Sequence, residues 1–137
     1  MQITHHDLVT SLYDEWWIEA GMVGFVPASK AYRTDDRRAV EICIADIGPL
    51  DQKRRDRGVF KDDEDHGITA RERVIKILRG FRMDVDIPPV AIVEGSSGYG
   101  HPYRLTDGTH RLYCAIAAGF THVPTIKGFS FDTQLLP

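Results

Sequence analysis

Five consecutive residues, Asp107-Gly108-Thr109-His110-Arg111, hold the groups an anion site needs. They stand between a strand-like stretch and an apolar helical one. The first N–H groups of a helix have no partner inside it, and they point outward. The helix dipole adds partial positive charge at that end, so the two together attract anions. Gly108 allows a sharp turn and close approach of a ligand. Thr109 is a candidate cap and offers a hydroxyl. His110 and Arg111 add donors, and a guanidinium grips phosphate through two parallel hydrogen bonds. Asp107 is placed to orient His110 or Arg111, or to hold Mg²⁺ beside a triphosphate. The competing reading is a plain turn in which Asp107 and Gly108 bend the chain while His110 and Arg111 face solvent.

Positioning this segment requires elements on both sides. Residues 90–93 and 103–106 read as strands. Between them lies a Gly-rich hairpin loop, Gly95, Gly98 and Gly100 included. That loop mimics a dinucleotide fingerprint but leads into a strand, not a helix. Leu112, Ala115 and Ile116 mark a helix face after the motif, Gly119 ends it, and residues 123–126 form a last strand. Thr69 and Glu72 form a capping box for a helix over 69–79, with Val74, Ile77 and Leu78 buried and Gly80 as its stop.

Upstream, residues 40–45 alternate as a strand, with Val40, Ile42 and Ile44 on one side and Glu41, Cys43 and Ala45 on the other. Glu41 thus faces either a cleft or solvent. Asp46 follows, as a candidate carboxylate or a turn former. Leu8, Leu12, Trp16 and Ala20 recur every four residues and predict a helix over 4–20, with Thr4 as cap and Gly21 as stop. Trp16 and Trp17 make this helix either a core element or a docking face for a protein partner. Residues 21–38 read as a connector. Residues 51–67 are dense in both charges. They read as a mobile solvated loop, or as a lid whose Lys53, Arg54, Arg55 and Arg57 reach phosphate. The run Asp62, Asp63, Glu64 and Asp65 lacks the spacing of a calcium loop.

The motifs together resemble the ParB/sulfiredoxin-like superfamily. The resemblance rests on Pro-Pro-Val-Ala-Ile-Val from Pro88, Tyr-Arg-Leu-Thr-Asp-Gly-Thr-His-Arg-Leu from Tyr103, and Ala-Ile-Ala-Ala-Gly-Phe-Thr-His-Val-Pro from Ala115. The stretch from Val40 to Leu50 is similar to that family's opening strand. The resemblance implies an α/β (α+β) fold, a small mixed sheet flanked by helices, over residues 39–128. The 1–38 helix and connector precede it, and a 129–137 tail follows. It also implies Mg²⁺ with ATP or CTP, phosphates at Gly108, His110 and Arg111, and a phosphotransferase or hydrolase as the concrete enzyme reading. For that chemistry Glu41, Asp46 and Asp107 are the candidate catalytic carboxylates. A non-catalytic nucleotide- or protein-binding adaptor is the alternative. Sulfiredoxins place the reactive cysteine where this chain has Thr109, which cannot supply a thiolate, so sulfinic-acid reduction is not expected.

Bulk properties narrow the field. The 137 residues suit one domain, and 42% hydrophobic content supports a core. The formal net charge of −3 lacks the basic excess of a duplex-DNA binder. Only 11 residues follow Ile126, too few for a DNA-reading domain. Sequence-specific DNA binding is therefore not expected. Nucleic-acid binding or cleavage through the basic run at 53–57 stands as a third reading. No signal peptide or membrane span is read, and a cytoplasmic location is expected. Cys43 and Cys114 are read as free, packed thiols, and no structural zinc is expected from His101, His110 and His122.

Overall fold

A computed structural model describes residues 1–61, 64, 65 and 67–128. Asp62, Asp63 and the 129–137 tail lie outside the described residues. The architecture is mixed α/β. A four-stranded sheet runs in the order β3 (Val40–Cys43), β8 (His122–Lys127), β6 (Val90–Glu94), β7 (Tyr103–Asp107). β8 pairs antiparallel with β3 and parallel with β6, whereas β6 and β7 form an antiparallel hairpin. Two helices serve this sheet: α3 (Ala70–Met83) and α4 (Thr109–Ala118), which pack on each other.

The chain does not begin with a helix over 4–20. It begins with a hairpin, β1 (Gln2–His5) and β2 (Leu8–Ser11), followed by the short helix α1 (Asp14–Glu19). His6 and Asp7 both have positive φ, 51° and 66°, the conformation a two-residue hairpin turn demands. Ile3 and His5 point inward, and β-branched Thr4, Val9 and Thr10 suit the strands. Leu12, Trp16 and Ala20 are buried as expected, but by a strand exit and a short helix. Trp16, 5% exposed, belongs to the core and presents no docking face, and Trp17 packs half-buried against the same core.

α3 starts as the capping box requires: the Thr69 hydroxyl accepts the Glu72 N–H at 3.1 Å. It does not stop at Gly80. It continues to Met83, and Asp84 ends it in the left-handed conformation (φ 53°). Gly80 serves close packing: a Cβ there would lie 2.8 Å from Ile87 Cδ1. α4 ends at Gly119 (φ 95°), as its sequence suggests.

β3 also departs from the reading. It gives way to a 3-10 turn over Ile44–Asp46, and Val40 at its far end is 60% exposed, so the 40/42/44 face is not uniformly buried. The charged stretch after residue 50 is not wholly a loop. It builds α2 (Gln52–Arg57), capped by the Asp51 carboxylate accepting the Arg54 N–H, and two short strands, β4 (Glu64–Asp65) and β5 (Ile68–Thr69). One hydrophobic core joins all of this, from Ile3 and Trp16 through Val74, Leu78, Val90 and Ile92 to Leu112 and Val123. Among the described residues no helix is long and apolar enough to cross a membrane.

Candidate functional site

β7 runs straight into the turn. Gly108 takes φ 97° and forms the N-cap of α4. A Cβ at this position would lie 2.8 Å from Val90 Cγ1, so the turn is seated on the buried first residue of β6. The first helical hydrogen bond runs from the Leu112 N–H to the Gly108 carbonyl at 2.9 Å. The N–H groups of Thr109, His110 and Arg111 therefore have no carbonyl to reach within the helix. Thr109 does not cap. It is the first helical residue, and its hydroxyl accepts from Arg54 Nη1 at 2.8 Å. A basic residue of the candidate lid thus does reach the turn, carried by α2.

Asp107 pairs with Arg111, not with His110. Its carboxylate lies 3.5 Å from Arg111 Nη2, and Arg111 Nη1 donates to the Pro89 carbonyl at 3.1 Å. The Asp107 side chain is 77% exposed and that of Arg111 only 21%. His110 points elsewhere. Its Nε2 lies 2.8 Å from the Val59 carbonyl oxygen, and its ring stacks on Phe60 at 5.7 Å. Because a carbonyl only accepts, Nε2 carries the proton and donates it there. Burial, reinforced by the nearby Arg73 charge, holds the His110 pKa below its ordinary value of 6.5. The imidazole is thus neutral near pH 7. Its Nε2–H fastens the Val59–Phe60 segment and is not free for an anion.

Gly108, Thr109, His110 and Arg111 line a cavity of about 610 Å³ together with Asp107. The opposite wall is α3, which contributes Arg73, Lys76, Ile77 and Gly80. These four recur at helical spacing and present one face. Val85, Asp86, Ile87 and Pro88 complete the lining. The arrangement sets Arg73 and Lys76 across from Arg111 and a helix N-terminus, with two carboxylates, Asp86 and Asp107, and the apolar Ile77, Val85, Ile87 and Pro88 in the same lining. Neither Arg73 nor Lys76 was singled out from the sequence. Their three-residue spacing on the capped helix was the available signal, but only the α3–α4 contact shows where that face points.

The other predicted carboxylates lie apart. Glu41 is on β3, at the opposite edge of the sheet from β7. It lines a different cleft of about 910 Å³, with Lys30 Nζ 4.0 Å away. Asp46 ends the 3-10 turn, exposed to solvent, and lines neither cavity. Asp86 shares the pocket with Asp107 and pairs with Arg33 Nε at 2.9 Å. Cys114 is fully buried in α4, and burial pushes its thiol well above the ordinary range, while Cys43 is half-buried. Compared with protein-family models, curated proteins and solved structures, the chain matches none.

Proposed function

We propose that the cavity between α3 and the start of α4 binds a nucleotide through its phosphates, as the ParB/sulfiredoxin-like resemblance implies. The observation that carries this reading is the shared lining. The Gly108–Arg111 turn, Arg111, Arg73 and Lys76 meet in one pocket, which also holds the carboxylates of Asp86 and Asp107 and whose apolar part, Ile77, Val85, Ile87 and Pro88, suits a base or sugar face. Phosphate oxygens would lie against the α4 N–H groups, with the guanidinium of Arg111 and the ammonium of Lys76 at hand.

Magnesium fits this reading as a companion of the ligand. Such an ion commonly takes one or two carboxylates and completes its shell with phosphates and water. Asp107 is the more exposed of the two carboxylates at the pocket, Asp86 being paired with Arg33, and is the residue that would hold it, with ATP or CTP as the nucleotide. When bound, the ion neutralises charge on the phosphate oxygens.

A binding module or switch is favoured over a phosphotransferase by one observation. Glu41 and Asp46, two of the three candidate bases, lie away from this pocket. Phosphoryl transfer needs a carboxylate to position the acceptor, and that role would fall to Asp107 or Asp86.

The experiment is calorimetric titration with ATP, CTP, GTP and ADP in the presence of Mg²⁺, beside Arg111→Ala and Lys76→Glu. Saturable binding of one nucleotide is expected, lost in Arg111→Ala and weakened about tenfold or more in Lys76→Glu. Lys76 is exposed, so its variant separates loss of charge from loss of fold. No binding by the folded protein overturns the reading.

A further inference from the structure

Histidines far apart in the chain meet outside the nucleotide pocket. The rings of His5 and His6 lie 4.3 Å apart between centroids, and those of His6 and His101 4.4 Å. Tyr113 of α4 closes one end, edge-on to His5 at 6.0 Å, and Tyr99 closes the other, 5.5 Å from His101. The run ties the β1–β2 turn to the β6–β7 loop.

Both His5 Nε2 and His6 Nε2 lie 2.8 Å from the Ile47 carbonyl oxygen. That oxygen can only accept, so each Nε2 is the protonated nitrogen, and Nδ1 is where a further proton goes. Among the described residues no carboxylate acts on His5. Burial and the charges of His6 and His101 oppose its protonation, while the backbone of Ile47 and Gly48 favours it. At the ends of the run, Arg55 acts on Tyr113, and Arg104 and Asp51 act on Tyr99. Asp51 is already committed to the Arg54 N–H, and Asp7 shares the turn with His6.

We infer that His5, His6 and His101 form a pH-operated clasp, which holds the N-terminal hairpin to the β6–β7 loop while His5 is neutral and opens as acid charges His5 against its neighbouring rings. Charges on adjacent rings at this spacing repel strongly in a partly buried setting. The opening is local because α3 and α4 contribute no titrating group to the run apart from Tyr113.

Backbone amide hydrogen exchange of the full chain, followed by NMR between pH 7.5 and pH 4 without any ligand, tests this. After correction for intrinsic rates, amides of β1, β2 and the 95–101 loop should lose protection about tenfold or more relative to those of α3. The loss should fall between the ordinary histidine value of 6.5 and about 4. In His101→Gln, and separately in His6→Gln, the loss should move to lower pH, since one repelling charge is gone. No loss of hairpin protection beyond that of α3, no loss down to pH 4, or the same midpoint in wild type and both variants would overturn the clasp. None of these outcomes bears on nucleotide binding, which the calorimetry reads separately.

Discussion

Gly108→Ala puts a number on how tightly the turn before α4 is built. The substitution meets two separate costs. First, Gly108 has φ 97°, and a left-handed backbone costs a residue with a Cβ roughly 1–2 kcal/mol. Second, the new methyl would stand 2.8 Å from Val90 Cγ1, 3.1 Å from its Cβ and 3.2 Å from its Cα. Val90 is fully buried and held in the sheet, so its backbone cannot swing away. Overpacking of this kind costs roughly 1–3 kcal/mol. Together they predict a loss of about 2–5 kcal/mol. Gly98→Ala isolates the first cost, because Gly98 has φ 84° and nothing within 4 Å of its ideal Cβ. Urea unfolding of both variants, with unchanged slope, measures the difference. Gly108→Ala should be less stable than Gly98→Ala by about 1–3 kcal/mol. Equal losses would show that the turn is not wedged on Val90, and the geometry assigned to the α4 N-terminus would have to be abandoned.

Three further outcomes follow from the same reasoning. Thr69→Ala removes the cap of α3 and should cost about 1 kcal/mol, with Thr69→Ser restoring most of it; thermal melts of the three proteins check this. Trp16→Ala should cost about 3–5 kcal/mol and Trp17→Ala clearly less, and comparable losses in denaturant titrations would contradict the core placement of Trp16. Acid should destabilise the protein through His5, whose pKa burial lowers from 6.5 to about 4. The unfolded chain then holds more protons than the folded one within that window, so stability is full above pH 6.5 and declines toward pH 4. Ideal linkage sets a ceiling of roughly 3 kcal/mol, and partial hydration of the ring brings the expectation to about 1–2 kcal/mol. Urea midpoints at pH 7 and pH 4.5 should show this loss, and His5→Gln should flatten it.

The parts of the fold legible in the sequence were those fixed by local chemistry. Thr69 and Glu72 announce the start of α3 because the Thr69 hydroxyl satisfies the Glu72 N–H without outside help. Gly119 announces the end of α4 for a similar reason. The N-terminus misleads because a spacing of four, as in Leu8, Leu12, Trp16 and Ala20, fits a strand's period of two as well as a helix's 3.6. What distinguishes the hairpin is the pair His6 and Asp7 at positive φ, and neither is the glycine that usually signals such a turn. Gly80 misleads in the opposite direction. It resembles a stop, yet its role is to let Ile87 approach α3, a contact that only the tertiary structure supplies.

The candidate site divides along the same line. A strand, a glycine and a helix start are local, and so the turn at 107–111 was legible. Which of His110 and Arg111 serves the pocket was not, although helix geometry decides it. Asp107 and Arg111 are four residues apart and share a face, whereas His110 is rotated by about 100° from Arg111. That rotation sends the imidazole to Val59 and Phe60 and leaves Arg111 between Asp107 and the Pro89 carbonyl. Two neighbouring residues of one motif thus take different work. His110 acts as a neutral strut for the segment after α2, and Arg111 acts as the charge at the pocket. The other lining cations, Arg73 and Lys76, come from α3, and Arg54 of α2 binds the Thr109 hydroxyl, so the charge around the turn depends on three helices meeting. A search of the sequence for a phosphate motif sees only one of them.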